Sequence, residues 1–278
     1  MLTALFITLR EGLEAALVIA LVLSFLNRAG EKGGSRFVWL GAGGAAGASI
    51  AAGAFLFLAA SELSGEVGEI FEISVTLLAV GVLTYMIIWM RGHGGEMKNG
   101  LEQRTGRALR ESSPLALAAL AFAAVGREGL ETVLFLFASV SSAGVAETLI
   151  GGGVGLALAA AAGFALYRGS SRLNLKTFFT FTGALLIVFA AGIIAHALGE
   201  AEGLGMPALL TAPVWDTGSW LDDTSGAGAV LKALFGYQAA PSLIQIFGYW
   251  SYIGAMAWFY LRPARGRRQA PASGEARG

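Results

Sequence analysis

The pentapeptide Arg10-Glu-Gly-Leu-Glu14 recurs, residue for residue, as Arg127-Glu-Gly-Leu-Glu131, 117 positions later. Both copies lie inside long apolar stretches. On an α-helix each residue advances about 100°, so Arg10, Glu14 and Glu11 fall at about 0°, 40° and 100°. The three charges therefore share one wedge, while Gly12 and Leu13 point elsewhere. Near the centre of a membrane span each charged residue costs about 2.5–3.5 kcal/mol on insertion scales, and six cost on the order of 15–20 kcal/mol before pairing and water reduce the sum. A cost of that size implies partners and a use.

Ion pairs that merely lock helices, Arg10 with Glu14 and Arg127 with Glu131, do not account for the pattern. Each copy carries two acids for one base, leaving two excess negative charges between the helices, and an apolar pair would lock them more cheaply. The excess carboxylates instead suit a cation. Glu11, Glu14, Glu128 and Glu131 offer two oxygens each, hard donors fit for a hard, multiply charged metal. Arg10 and Arg127 would support the empty site and release their partners when metal arrives. Gly12 and Gly129 would admit a second backbone, at the site or in ordinary helix packing.

The elements that must carry these residues are membrane spans. Of 278 residues 55% are hydrophobic and only 14% charged, too few charges to cover a soluble domain of this length. The apolar residues come in blocks of about 20, the length that crosses a hydrocarbon core. Seven spans can be drawn: Leu2–Leu26, Phe37–Ala60, Ile70–Met90, Leu115–Ala138, Leu149–Tyr167, Thr177–Leu198 and Gln245–Leu261. Forty glycines agree with close helix packing in lipid. The N-terminus lacks the basic start and cleavage site of a signal peptide, so the first span is taken as mature.

Basic residues orient the spans. Sixteen of the 19 Lys and Arg lie on alternate links and the tail: Arg28, Lys32 and Arg36; Arg91, Lys98, Arg104, Arg107 and Arg110; Arg168, Arg172 and Lys176; then Arg262, Arg265, Arg267, Arg268 and Arg277. Only Lys232 falls on the other side. The N-terminus is thus expected outside and the C-terminus in the cytoplasm of a plasma or inner-membrane protein. The two motif copies then run in opposite directions. Spans 1–3 (about 1–91) and 4–6 (about 114–199) read as an inverted-topology repeat, with a long outer connection (199–244) and span 7 (245–261) added. Such repeats place their site near the midplane. The expected fold is all-α and polytopic: one permease domain over 1–262, then a disordered cytoplasmic tail, 263–278. A short interfacial helix is expected over Ala229–Phe235, and a cytoplasmic one over Met97–Arg110.

Acidic residues gather on the outer side, as a solvated face or as a vestibule that concentrates cations. Glu69 and Glu72 open span 3, and His196 with Glu200 closes span 6, so these four could line an entry path. Asp222 and Asp223 in the outer connection would help capture. Met86 and Met90, at helical spacing, read as packing, and Trp89 as part of an interfacial belt. Zero cysteines exclude disulfides, thiolate metal sites and thiol catalysis. No Gly-Lys dipeptide, nucleophile elbow or His-Glu-x-x-His helix is present, so neither a P-loop nor these hydrolytic centres can be drawn, and the chain does not read as an enzyme.

With these motifs in place, the chain resembles the oxidase-dependent, high-affinity iron permease family, in its bacterial branch. The resemblance rests on both Arg-Glu-Gly-Leu-Glu copies, on Glu72 and Thr84-Tyr-Met-Ile-Ile-Trp-Met90, on Val214-Trp-Asp-Thr-Gly-Ser-Trp-Leu-Asp-Asp223, and on Leu234-Phe-Gly-Tyr-Gln-Ala-Ala-Pro-Ser242. It covers nearly the whole chain, up to Leu261. It implies iron as the transported substrate, with Glu11, Glu14, Glu128 and Glu131 as ligands and no organic cofactor. It also implies a separate extracytoplasmic ferroxidase or peroxidase-like partner, and no nucleic acid. Two other readings stay open on the residues alone. One is a proton-coupled transporter of another divalent or heavy-metal cation, such as lead. The other is a seven-span receptor, against which the excess midplane acid argues.

Overall fold

The computed structural model describes residues 1–93, 114–168, 175–205 and 207–261. Over them the chain is helical: α1 (Leu2–Arg28), α2 (Ser35–Glu62), α3 (Gly65–His93), α4 (Pro114–Ala143), α5 (Val145–Tyr167), α6 (Leu175–Ala201), the short α7 (Ala208–Thr211) and α8 (Gly226–Phe235), and α9 (Leu243–Leu261). The described residues include no strand, only an isolated antiparallel bridge between Pro213 and Ser242. Each of the seven apolar segments drawn from sequence falls inside one of the long helices. Among the described residues, four stretches are long and apolar enough to cross a membrane: Ser35–Glu62, Gly65–Trp89, Val145–Ala165 and Thr180–Leu204. Three motif charges lie within each of α1 and α4, and α9 is rich in Trp and Tyr, which lowers their hydropathy.

Large apolar side chains face outward along these helices, among them Leu40, Ile50 and Phe55 on α2 and Leu149, Ile150 and Phe164 on α5. Exposure on that scale is a liability in water and is the expected lining of a protein that faces lipid. The chain is a multi-pass membrane protein. The short helix expected over Ala229–Phe235 begins earlier, at Gly226, and ends on Gly236, whose φ of 67° is the left-handed conformation that favours glycine. The expected cytoplasmic helix over Met97–Arg110, the basic residues Lys98, Arg104, Arg107, Arg110 and Arg172, and the tail lie outside the described residues.

Small residues decide how the helices meet. α1 packs along α5, and α2 along α4. Gly41 lies against the carbonyl of Ala118, and Gly151 against that of Met1. Gly12 meets Ala159, while Gly129 meets Ser49. Gly53 meets Val133, and Gly163 meets Ala16. Every contact between α2 and α4 in this set reappears between α5 and α1, at a shift of 110 residues from α2 to α5 and 117 from α1 to α4. Positions 41–50 and 151–160 also share one sequence of buried and exposed residues. Contacts advance together along each pair, so α1 runs parallel to α5 and α2 parallel to α4.

α1 and α4 run antiparallel. The far end of α1 (Val22, Leu26) packs with the start of α4 (Leu117, Ala121), and Ile7 near the start of α1 packs with Phe135 and Ala138. The larger cluster adds Ala79, Leu83 and Met86 of α3, Leu186 and Phe189 of α6, and Met256 of α9. The two motifs lie between these apolar layers.

Candidate metal site between α1 and α4

Antiparallel packing brings the two pentapeptides face to face. Carboxylate oxygens of Glu11, Glu128 and Glu131 all lie within 4.8 Å of one another. All three residues are buried, as are Arg10 and Glu14. The Arg10 guanidinium forks between two acids, Nη1 at 2.6 Å from Glu11 Oε1 and Nη2 at 3.0 Å from Glu14 Oε1. Arg127 Nε lies 2.9 Å from Glu131 Oε1 and 3.9 Å from Glu128 Oε1.

Glu11, Glu128 and Glu131 each keep one buried oxygen, Oε2, that accepts no hydrogen bond from a basic side chain, a hydroxyl or a backbone amide. A buried carboxylate oxygen left without a donor is costly, and three such oxygens on converging residues form a donor set for a cation. Glu14 stands beside this trio, turned onto Arg10. Of the four acids and two bases singled out in the sequence, three carboxylates converge and the fourth, Glu14, is paired with Arg10.

Gly12 and Gly129 do not line the cluster. Each lets its helix approach α5 or α2, the packing role weighed from sequence. Two α3 residues that sequence reading assigned elsewhere do reach it. Met86, fully buried, accepts a hydrogen bond from Arg10 Nη1 at 3.2 Å. The Trp89 ring lies 5.2 Å beneath the Arg127 guanidinium carbon, within cation–π range. Helical spacing within α3 could not reveal either contact, because both depend on how α3 docks against the motif helices.

The remaining sequence candidates lie apart from this cluster. His196 Nε2 lies 3.4 Å from Glu200 Oε1. Glu69 and Glu72 are close enough for their charges to act on Glu200. A cavity of about 30 Å³ opens beside His196, lined also by Thr3, Lys232, Tyr237 and Gln238 among others. Asp222 and Asp223 take part in local structure. The Thr224 amide and hydroxyl donate to Asp222, which holds its carboxyl below the usual aspartate range. Asp223 Oδ2 pairs with Lys232 Nζ at 3.3 Å. Thr217 donates to the Ala239 carbonyl and Tyr237 to that of Leu221, which folds the segment between α6 and α9 on itself.

The chain is similar over nearly its whole length to named transport proteins. It is 36% identical to the ferrous iron permease EfeU of Escherichia coli O6:K15:H31 (strain 536 / UPEC) over 263 residues, 94% of this chain and 95% of that one. The EfeU protein of Shigella sonnei (strain Ss046) shows the same identity and coverage. That of Yersinia pestis is 35% identical over 260 residues, 92% of each chain. No solved structure matches. Residues 1–263 match the model of the iron permease FTR1 family, and the chain belongs to that family.

Proposed function

We propose that this chain imports iron across the cell membrane through the carboxylate cluster of Glu11, Glu128 and Glu131, with Glu14 joining when Arg10 releases it. The observation that carries this reading is the convergence of three buried carboxylates, each with an oxygen that accepts no hydrogen bond from a basic side chain, a hydroxyl or a backbone amide. The curated relatives are named ferrous iron permeases. With all four glutamates ionised, they and the two arginines would sum to two negative charges, a balance that a ferrous ion would neutralise.

The path to the site follows an inverted repeat of α1–α3 and α4–α6, with α9 as the seventh span of one permease domain over residues 1–262. The paired contacts at fixed shifts, and the antiparallel run of α1 and α4, support this reading. The alternation of basic links supports an outer N-terminus and a cytoplasmic C-terminus. Glu69, Glu72, His196 and Glu200 would then receive iron at the outer end, and Asp222 and Asp223 would add to the field of the vestibule. Family resemblance supports a separate iron-oxidising partner outside and no organic cofactor.

Uptake of radiolabelled iron into proteoliposomes, ferrous and ferric compared, tests the function. Wild-type protein is expected to accumulate iron, and folded Glu128→Gln protein is not. Equal uptake by the two would return the motifs to structure.

A further inference from the structure

We propose that Met86 is a metal-binding and specificity-determining residue of the translocation site, its thioether favouring ferrous iron and similar borderline cations over magnesium and calcium. The inference rests on the carboxylate site proposed above. In the structure the Arg10 guanidinium is the cation at one side of that site, and the atoms around it map what a replacing cation would meet. Those atoms include Glu11 Oε1 at 2.6 Å, Glu14 Oε1 at 3.0 Å and Met86 Sδ at 3.2 Å. The first and the third touch the same nitrogen, Nη1. An ion taking that nitrogen's place would therefore have both a carboxylate oxygen and a sulfur close by.

Metal–ligand bonds are shorter than these contacts, at about 2.0–2.3 Å for zinc with oxygen, nitrogen or sulfur donors. The thioether would have to move inward by about an ångström, which an unbranched side chain with three rotatable bonds can do. Carboxylates alone form a hard shell that magnesium, calcium and manganese also accept, and a sulfur donor tilts the balance towards softer ions. Met86 is fully buried among Leu83, Ile87 and Phe135, which keeps its sulfur out of water in this structure. A methionine that only filled this cluster would be replaceable by leucine without changing the order of metal preference.

The test uses the full chain in detergent without oxygen, with calorimetric titration of Fe²⁺, Cd²⁺, Mn²⁺ and Mg²⁺ into wild type, Met86→Leu and Glu128→Gln. Met86→Leu is expected to weaken Fe²⁺ and Cd²⁺ binding relative to Mn²⁺ and Mg²⁺ by on the order of tenfold, the low end of what changes around a metal site cost. A uniform loss for all four ions would reduce Met86 to positioning Arg10 and overturn the proposal. Full Fe²⁺ binding by Glu128→Gln would instead overturn the carboxylate site. An independent measurement needs no variant: cadmium-edge X-ray absorption on selenomethionine-labelled wild type is expected to show selenium in the metal's first shell. Its absence would overturn the ligand role even if the leucine variant failed to fold.

Discussion

Arg10 and Arg127 open identical pentapeptides, yet the Arg10 side chain is 1% exposed and that of Arg127 42% exposed. Arg10 closes over the cluster from the end of the bundle that holds the start of α1. Arg127, resting on Trp89, lies towards the end that holds the start of α4 and is open there. If the arginines act as equivalent gates on either side of one site, this conformation is shut at Arg10 and open at Arg127.

This difference in exposure has a measurable consequence. The chain has no cysteine, so Arg127→Cys would be its single thiol. It should react with a hydrophilic thiol reagent applied to the side bearing the α3–α4 link, while a thiol at Arg10 should resist the reagent from both sides in the metal-free protein. Stability should differ in the same sense. Lysine cannot reproduce the fork between Glu11 and Glu14, and stripping a buried carboxylate of its partner costs about 3–5 kcal/mol. Loss of a half-exposed pair costs up to about 1 kcal/mol. Arg10→Lys should therefore lower the melting temperature in detergent well beyond Arg127→Lys; equal shifts would mean the asymmetry has no energetic weight.

Glu128→Gln and Glu131→Gln remove converging donors from one cluster, and groups that act as a unit are non-additive when removed together. Each single variant should lose ferrous binding, and the double variant should be little worse than either. Glu14→Gln should be milder, because Glu14 Oε1 lies against Arg10 at 3.0 Å rather than among the three converging acids. Titration of the purified variants checks the order. Additive losses would mean two separate sites.

Much of this arrangement was legible in the chain. The repeated pentapeptide named its six charged residues because charge inside an apolar stretch is conspicuous. The apolar blocks marked every long helix to within a few residues. Distance and docking were not legible. Nothing in the spacing of Met86 or Trp89 tells that α3 lays one against Arg10 and the other under Arg127. Asp222 and Asp223 looked like free capture charges, yet the turn at Thr224 and the reach of Lys232 engage both. Glu14 and Glu131 are sequence equivalents, but only Glu131 joins the converging trio.

Orientation can be tested with single thiols placed at Ser64, between α2 and α3, and at Glu31, between α1 and α2. Both positions are exposed. With the N-terminus outside, an impermeant reagent applied to intact cells should label Ser64→Cys and spare Glu31→Cys until the membrane is opened. Labelling of both from outside would sink the orientation and the inverted repeat with it.

The repeat also makes a prediction about packing. Gly41 and Gly151 occupy matching positions, and a Cβ at either would run into a backbone carbonyl, that of Ala118 or of Met1. Backbone cannot swing aside as a side chain can, so valine at either position should overpack the helix pair at a cost of about 1–3 kcal/mol. Two residues further on, Gly43 and Gly153 are matching positions of the opposite kind, exposed and with nothing within 4 Å of a Cβ. Valine there meets no neighbour and should leave thermal stability in detergent nearly unchanged. Helix propensity cannot produce that contrast, because all four glycines sit inside helices and would gain about equally from a side chain. The expected result is two matched pairs, one destabilised in both halves and one neutral in both. If Gly41→Val and Gly151→Val differed as widely as Gly41→Val and Gly43→Val, the halves would not share one packing scheme, and the exchange of α1·α5 for α4·α2 would lose its energetic meaning.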